Sequence, residues 1–493
     1  MSNPLLYELN TRCWLRELST RSGRAVRLDR IPEAEFQAWQ RRGFTHLWLM
    51  GVWTTGPLSR AVSLVGREAR QRYAQALPDW READVCGSPY AIADYRVPAD
   101  LGGDAGLQTF RRQLNDRGLK LLLDFVPNHL GLDHAWVAAR PDVFVQSPTE
   151  TQDVFRQESP RGARWLAHGR DPNFPCWRDT VQLDYRLPET RRAALELLQS
   201  VARRCDGVRC DMAMLLLNEV FARTWQGYLP VGQAAESEFW AEAIQAVKAE
   251  LPGFMFFAEA YWDLEARLQD LGFDYTYDKR LYDYLVYRNR TEAQRHLLGV
   301  TPRFVAASAH FLENHDEPRI ASILSSAEHR AAALLMLGLP GLRLLHEGQL
   351  TGAQVHVPVA LARRAIEPPQ PQVVALYDAL LATLPKTAVG AGRAELLRPR
   401  PAWSDNPTAE DFVLVQWQAS AGGFDVVVVN LAEHRSQCYA PLTIPELSQT
   451  NWRLKDLLGD EIHVRRGDDL VNQGLYLDVA AYAAQLFHCQ PVA

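Results

Sequence analysis

The sequence predicts an α/β protein: a (β/α)8 TIM barrel, interrupted by a domain B insertion after its third strand and followed by an antiparallel β-sandwich. Three observations predict it. Short apolar runs alternate with amphipathic stretches through the first three-quarters of the chain. Residues 130–183 break that alternation and show no strong periodicity. Beyond about residue 390 the pattern becomes alternating or continuous apolar strands with turn residues between them.

The strands come first. HLWLM (46–50), LKLLLDFV (119–126), GVRCDMA (207–213), FMFFAEA (254–260), HFLENHD (310–316) and GLRLLHE (341–347) read as buried strands. Two more, near residues 6–13 and 273–277, make eight. Between them lie helical patterns at 107–118, 189–205, 238–253 and 371–384. Alternation of this kind predicts a parallel sheet covered by helices, and eight units close into a barrel. The barrel is expected to take residues 1–129 and 184–386, domain B 130–183, and the sandwich 387–493. A loop as long as that insertion is usually functional. In the last part, FVLVQW (412–417), FDVVVVN (424–430), CYAPL (438–442) and GLYLDV (474–479) read as strands. The one helix expected there lies near residues 444–448, and GDDL (467–470) reads as a β-turn.

Composition bounds the class. The chain has 493 residues, so roughly 150 per domain gives about three domains. With 47% apolar and 23% charged residues it is an ordinary globular chain, not a disordered or fibrous one. A net charge of -6 argues against nucleic-acid partners. The longest apolar run, 331–345, is too short for a membrane span and carries Arg343. The N-terminus lacks the basic and apolar regions of a signal peptide, which predicts a cytoplasmic protein. Seven scattered cysteines without CxxC spacing suggest buried free thiols. HEGQ (346–349) lacks the second His of a zinc helix, since position 350 is Leu.

Three carboxylates end expected strands: Asp211, Glu259 and Asp316. In a (β/α)8 barrel the site lies at the C-terminal ends of the strands, so acids there face its mouth. Their spacing fits one barrel at about 31 residues per unit. Glu259 to Asp316 is 57 residues, and Asp211 to Glu259 is 48. Asp124 to Asp211 is 87, one unit plus the insertion. Asp124, Asp211, Glu259 and Asp316 are therefore expected to converge from strands 3, 4, 5 and 7.

These segments, taken in order, resemble the conserved regions of the α-amylase superfamily, glycoside hydrolase family 13. They are SPYAIADY (88–95), DFVPNH (124–129), QLDY (182–185), GVRCD (207–211), AEAYW (258–262), ENHDEPR (313–319) and LPGLRLLHEG (339–348). The resemblance implies a retaining α-glycoside hydrolase or transferase. Asp211 would be the nucleophile, Glu259 the acid/base, and Asp316 the clamp on the sugar that is attacked. Retention needs the first two about 5–5.5 Å apart. Arg209 would keep Asp211 ionised. Tyr90 would stack beneath the same sugar, and His129 and His315 would hydrogen-bond it. Arg319 is assigned to substrate or to a carboxylate, and Asp124 to support. No cofactor is required. Calcium enters only through Asn128, a ligand in related amylases whose domain B partners are not matched here.

Departures bear on substrate. Met212-Ala213-Met214-Leu215 follows the nucleophile, where starch-cleaving members often carry Lys-His at the last two positions. Ala91 stands where an Asp usually follows the Tyr, and His346-Glu347 where aromatics are common. The expected substrate is a small carbohydrate, an α-glucoside or short maltooligosaccharide. The rival is transglycosylation by a glucanotransferase, trehalose-forming or sucrose-acting enzyme. The remote one is a non-catalytic sugar-binding or scaffold protein. Trp48, Trp136, Trp165, Trp177 and Trp262 fall near expected site segments. Trp165, His168, Arg170 and Trp177 are candidates for a substrate wall. Oligomeric state is left open.

Overall fold

A computed structural model describes residues 3–158, 162–230, 237–420 and 422–492. Eight parallel strands close into a barrel. They are β1 (Leu5–Asn10), β2 (His46–Met50), β3 (Lys120–Phe125), β4 (Gly207–Cys210), β5 (Met255–Ala258), β6 (Tyr275–Tyr277), β7 (Ser308–His310) and β8 (Leu342–His346). β1 pairs with both β2 and β8 and so closes the ring. Alternation along the strands sorts the side chains. Leu6, Trp48, Leu122, Phe257, Tyr277, Ala309 and Leu344 fill the interior. Leu47, Leu121, Val208, Phe256 and Leu345 pack outward in the larger core that includes the covering helices.

The helices begin where the sequence offers caps. Asn10 accepts from the Cys13 N–H and starts Thr11–Ser22, so β1 ends before Cys13. Ser325 and Glu328 form a capping box ahead of Ser326–Gly338. The apolar run at 331–345 is thus a buried helix followed by β8.

One strand, β7, departs most from its apolar run. β7 stops at His310, and residues 311–316 leave the sheet. The Asn314 side chain accepts from the N–H groups of Asp316 and Glu317, which folds the chain into a turn.

The insertion is more ordered than its sequence suggests. His129–Gly131 and Thr180–Gln182 pair at its base. Gln146–Ser147, Val154–Gln157 and Arg164–Ala167 form a small sheet. Strands of two to four residues are too short to show periodicity.

The C-terminal part has a six-stranded and a three-stranded antiparallel sheet. Val413, Val415, Trp417, Val427 and Val429 join the barrel's core, while Phe412, Leu414, Val426 and Val428 line the sandwich. Both faces are buried, hence the continuous apolar runs. Residues 467–470 are not a β-turn: Gly467–Asn472 is a short helix, and 447–449 is only a 3-10 turn. Strands at Arg393–Leu397, Asn451–Asp456, Ile462–Arg466 and Ala484–Val492 were not anticipated. All seven cysteines are free thiols. Among the described residues no helix is long and apolar enough to cross a membrane.

Gly131 is where the insertion meets the loop that carries Tyr90. A Cβ there would lie 2.5 Å from the Ala91 carbonyl oxygen, which is backbone and cannot swing aside. Gly131→Ala should lower the thermal midpoint by the equivalent of about 1–3 kcal/mol. It should also cut activity by displacing Tyr90. An unchanged midpoint in a thermal melt would refute this packing account.

Candidate active site

The ladder continues past the strand ends and sets the acids in place. The Asp211 N–H donates to Phe125 O at 2.9 Å, and the Glu259 N–H to Cys210 O at 3.0 Å. Asp211 and Glu259 thus sit one residue beyond β4 and β5, at the C-terminal mouth.

Arg209 joins them. It is fully buried on β4. One guanidinium nitrogen donates to Asp211 Oδ1 at 2.7 Å. The other lies 2.8 Å from Glu259 Oε2. Its Nε donates to the Tyr277 hydroxyl at 3.3 Å, and the group lies over the rings of Trp48, Tyr90 and Tyr277. Reading the sequence assigned Arg209 to Asp211 alone, but one guanidinium serves both acids. Burial, helped by the neighbouring Glu259, raises Asp211 to about 7 against the downward pull of Arg209.

Glu259 is held from two more sides. Its Oε2 accepts from the Met212 N–H at 2.7 Å and its Oε1 from the Tyr261 hydroxyl at 2.7 Å. Met212 adopts a left-handed conformation, φ 43°, which aims that N–H at the carboxylate. A non-glycine residue there carries strain, a known mark of functional sites.

Asp316 lies on the turn after β7, with its side chain 45% exposed. Its Oδ2 is 3.0 Å from His315 Nε2. Burial works to raise this carboxyl, and the His315 cation outweighs it, leaving it at about 2. Asp124 stays in β3 and accepts from Trp48 Nε1 at 3.0 Å and the Gly51 N–H at 2.8 Å. Burial raises it to about 6. Both contacts are internal, so its place is support of the pocket floor.

The remaining expected residues divide. Tyr90 lies against Arg209 and stacks on His315 at 5.3 Å, with its hydroxyl 2.6 Å from Nε2. His129 is buried beside Trp177, and burial lowers it to about 4, so the ring is neutral. His315 differs from expectation. Its Nδ1 is 2.6 Å from Glu8 and its Nε2 faces Tyr90 and Asp316, so neither nitrogen is free for a sugar.

Arg319 is a correction. It is buried, with Nη1 donating to Glu313 Oε1 at 2.7 Å and to Glu347 O at 2.6 Å. Glu313 is fully buried and needs a cation, so Arg319 serves the scaffold, not substrate. His168 and Arg170 likewise hold the insertion, through Thr180 O, Asp153 and Thr224 O.

Asn128 does not fit a calcium ligand. It donates to Gln182 Oε1 at 3.1 Å and accepts from Gln182 Nε2 at 3.0 Å, a closed amide pair. Among the described residues no group of three or more His, Cys, Asp or Glu is placed to hold a metal ion.

Glu8, Tyr261, Tyr277 and His356 were missed. Glu8 has a faint signal, a charge at an inward position of the apolar β1. His356 Nε2 is 2.9 Å from His315 O, on the loop after β8, and no local pattern marks it.

Acids bridged at the C-terminal mouth of a (β/α)8 barrel are the arrangement of glycoside hydrolases. The family model described as the alpha amylase catalytic domain matches residues 82–367, and the chain belongs to that family. The curated Alpha-amylase MalA of Haloarcula japonica is 27% identical over 276 residues, 53% of this chain and 36% of that protein. Alpha-amylase 3 of Dictyoglomus thermophilum is 19% identical over 54% of each chain. The chain thus spans about half or less of the length of these relatives. The solved structure of the noncanonic maltogenic alpha-amylase AmyB from Thermotoga neapolitana shares the fold, with TM-score 0.64 and 18% identity over 100% of this chain and 99% of that one.

The amide pair yields a test. Gln182→Ala leaves the buried Asn128 Oδ1 without its donor and should cost about 1–3 kcal/mol. A metal chelator should leave the thermal midpoint of the wild type unchanged. A chelator-induced drop would show that a cation, not the amide pair, holds this junction.

Proposed function

We propose that this protein is a retaining α-glycoside hydrolase acting on α-glucosides or short maltooligosaccharides. The observation that carries the reading is the single guanidinium shared by Asp211 and Glu259. It holds two acids against one small volume at the barrel mouth, as a double displacement requires.

Asp211 attacks the anomeric carbon, and the glycosidic oxygen leaves with the proton of Glu259. The covalent glycosyl-enzyme is then opened by water, which Glu259 deprotonates. Asp211 must be ionised at the moment of attack, with the proton of the pair on Glu259. Substrate entry strips water and presents the leaving oxygen as an acceptor for that proton. Asp316, half-exposed and ionised, is placed to accept hydrogen bonds from sugar hydroxyls. Neutral His129, engaged by the Tyr90 backbone and the Asn128 amide, helps to shape the wall beside it.

The short-substrate reading rests on the apolar Met212–Leu215 segment beyond the nucleophile. The same feature supports a second reading, transfer to a sugar acceptor. Trp262, 38% exposed and left-handed at φ 64°, adds a flat face at the mouth. Chromatography of products from maltose separates the two. Glucose alone means hydrolysis, and longer or isomeric sugars mean transfer. A cytoplasmic location remains part of the proposal.

Asp211→Asn should reduce turnover of maltotriose by at least about 10,000-fold, and proton NMR should show the α-anomer as first product of the wild type. A β-anomer, or full activity in Asp211→Asn, would sink the mechanism. Because the pair is active with one proton, carried by Glu259, kcat/KM should fall as pH rises through about 7 and that proton is lost. Arg209→Lys removes half of the bridge, so that fall should move to higher pH.

A further inference from the structure

β1 carries a carboxylate, Glu8, that is fully buried inside the barrel wall. Its neighbours in register are Trp48 on β2 and His346 on β8. Among the described residues its ion pair is with His315, whose Nδ1 lies 2.6 Å from Oε1. Its other oxygen has no hydrogen-bond partner there. A fully buried carboxylate with a single ion-pair partner is costly, so its place in the wall calls for a reason.

We propose that Glu8 is a positioning residue that keeps His315 a doubly donating imidazolium and thereby sets Asp316 and Tyr90 at the mouth. The geometry carries this. Nδ1 faces the Glu8 carboxylate, and Nε2 faces Asp316 Oδ2 at 3.0 Å and the Tyr90 hydroxyl at 2.6 Å. Ionised carboxylates only accept hydrogen bonds. A neutral imidazole has one N–H and would turn a lone pair toward one of the two acids. Both nitrogens must carry protons for both contacts to hold.

The surroundings divide into two sets. Glu8 and Asp316 favour the charged ring, as does Asp124 from β3. His346 from β8 and His356 from the loop after it would oppose it if charged, but burial lowers both and favours their neutral form. Burial opposes it too, yet the two flanking carboxylates outweigh it and hold the imidazole well above its ordinary range. The Trp48 ring, its centroid 5.4 Å away and nearly perpendicular, packs edge to face against it. A glutamine at position 8 would fill the same volume and still accept from Nδ1. The charge is therefore what the carboxylate adds.

The inference rests on the proposed function for its consequence in turnover, but not for the state of the ring. Histidine labelled with 13C at Cε1 would report His315 by NMR, assigned against His315→Asn. The ring should stay charged to above about pH 8 in the wild type, and Glu8→Gln should lower its midpoint by about one to three pH units. Glu8→Gln should also lower kcat/KM for maltotriose at least tenfold above the new midpoint, with no further loss in a His315→Asn background. A wild-type ring neutral at pH 7, or equal midpoints in the two proteins, would overturn the proposal. If Glu8→Gln does not fold, the wild-type titration alone decides. Lack of wild-type activity on every α-glucoside would count against the proposed function and leave that titration as the test of Glu8.

Discussion

The site depends on one buried cation. Arg209 has no contact with water and pays a desolvation cost that only well-placed partners offset. Two carboxylates at 2.7 and 2.8 Å and the faces of Trp48, Tyr90 and Tyr277 supply them. The guanidinium is planar and forked, so it fixes the distance between its two acids as well as their charge. The β4 and β5 ends are thereby locked to each other.

The same device recurs on the opposite wall. His315 sits between Glu8 and Asp316 as Arg209 sits between Asp211 and Glu259. With Asp124 beneath, the carboxylates around this pocket outnumber the cations. Burial raises both Asp211 and Asp124 despite a nearby arginine, and Glu259 and Asp316 add to the rise of Asp211. An excess of negative charge in a dry pocket also suits a transition state of oxocarbenium character.

A second layer of ion pairs carries this arrangement. Glu313, Arg319 and the Glu347 carbonyl tie the turn after β7 to the end of β8. Glu347 in turn accepts from the Asn10 N–H and pairs with Arg364. These links join β7, β8, β1 and the long loop beyond residue 350. Truncating Arg319 or Arg364 would leave a buried carboxylate, Glu313 or Glu347, without its arginine.

The sequence by itself determined the barrel, the insertion point, the C-terminal sheets and the acids at the strand ends. Those features are local: apolar periodicity marks a strand, and the residue just past it faces the mouth. Spacing in units of one strand and one helix then placed Asp124, Asp211, Glu259 and Asp316 together. Tertiary structure alone decided the partners. Arg209 proved to serve two acids, Arg319 to serve Glu313, and Asn128 to be closed by Gln182. Glu8 meets a residue 307 positions away, a pairing no local pattern encodes. Short strands such as β7, and those of the insertion, were blurred because two to four residues carry too little period. The physical reason is the same throughout: patterning records which face of an element is dry, whereas closure of the barrel decides which charges share that dry space.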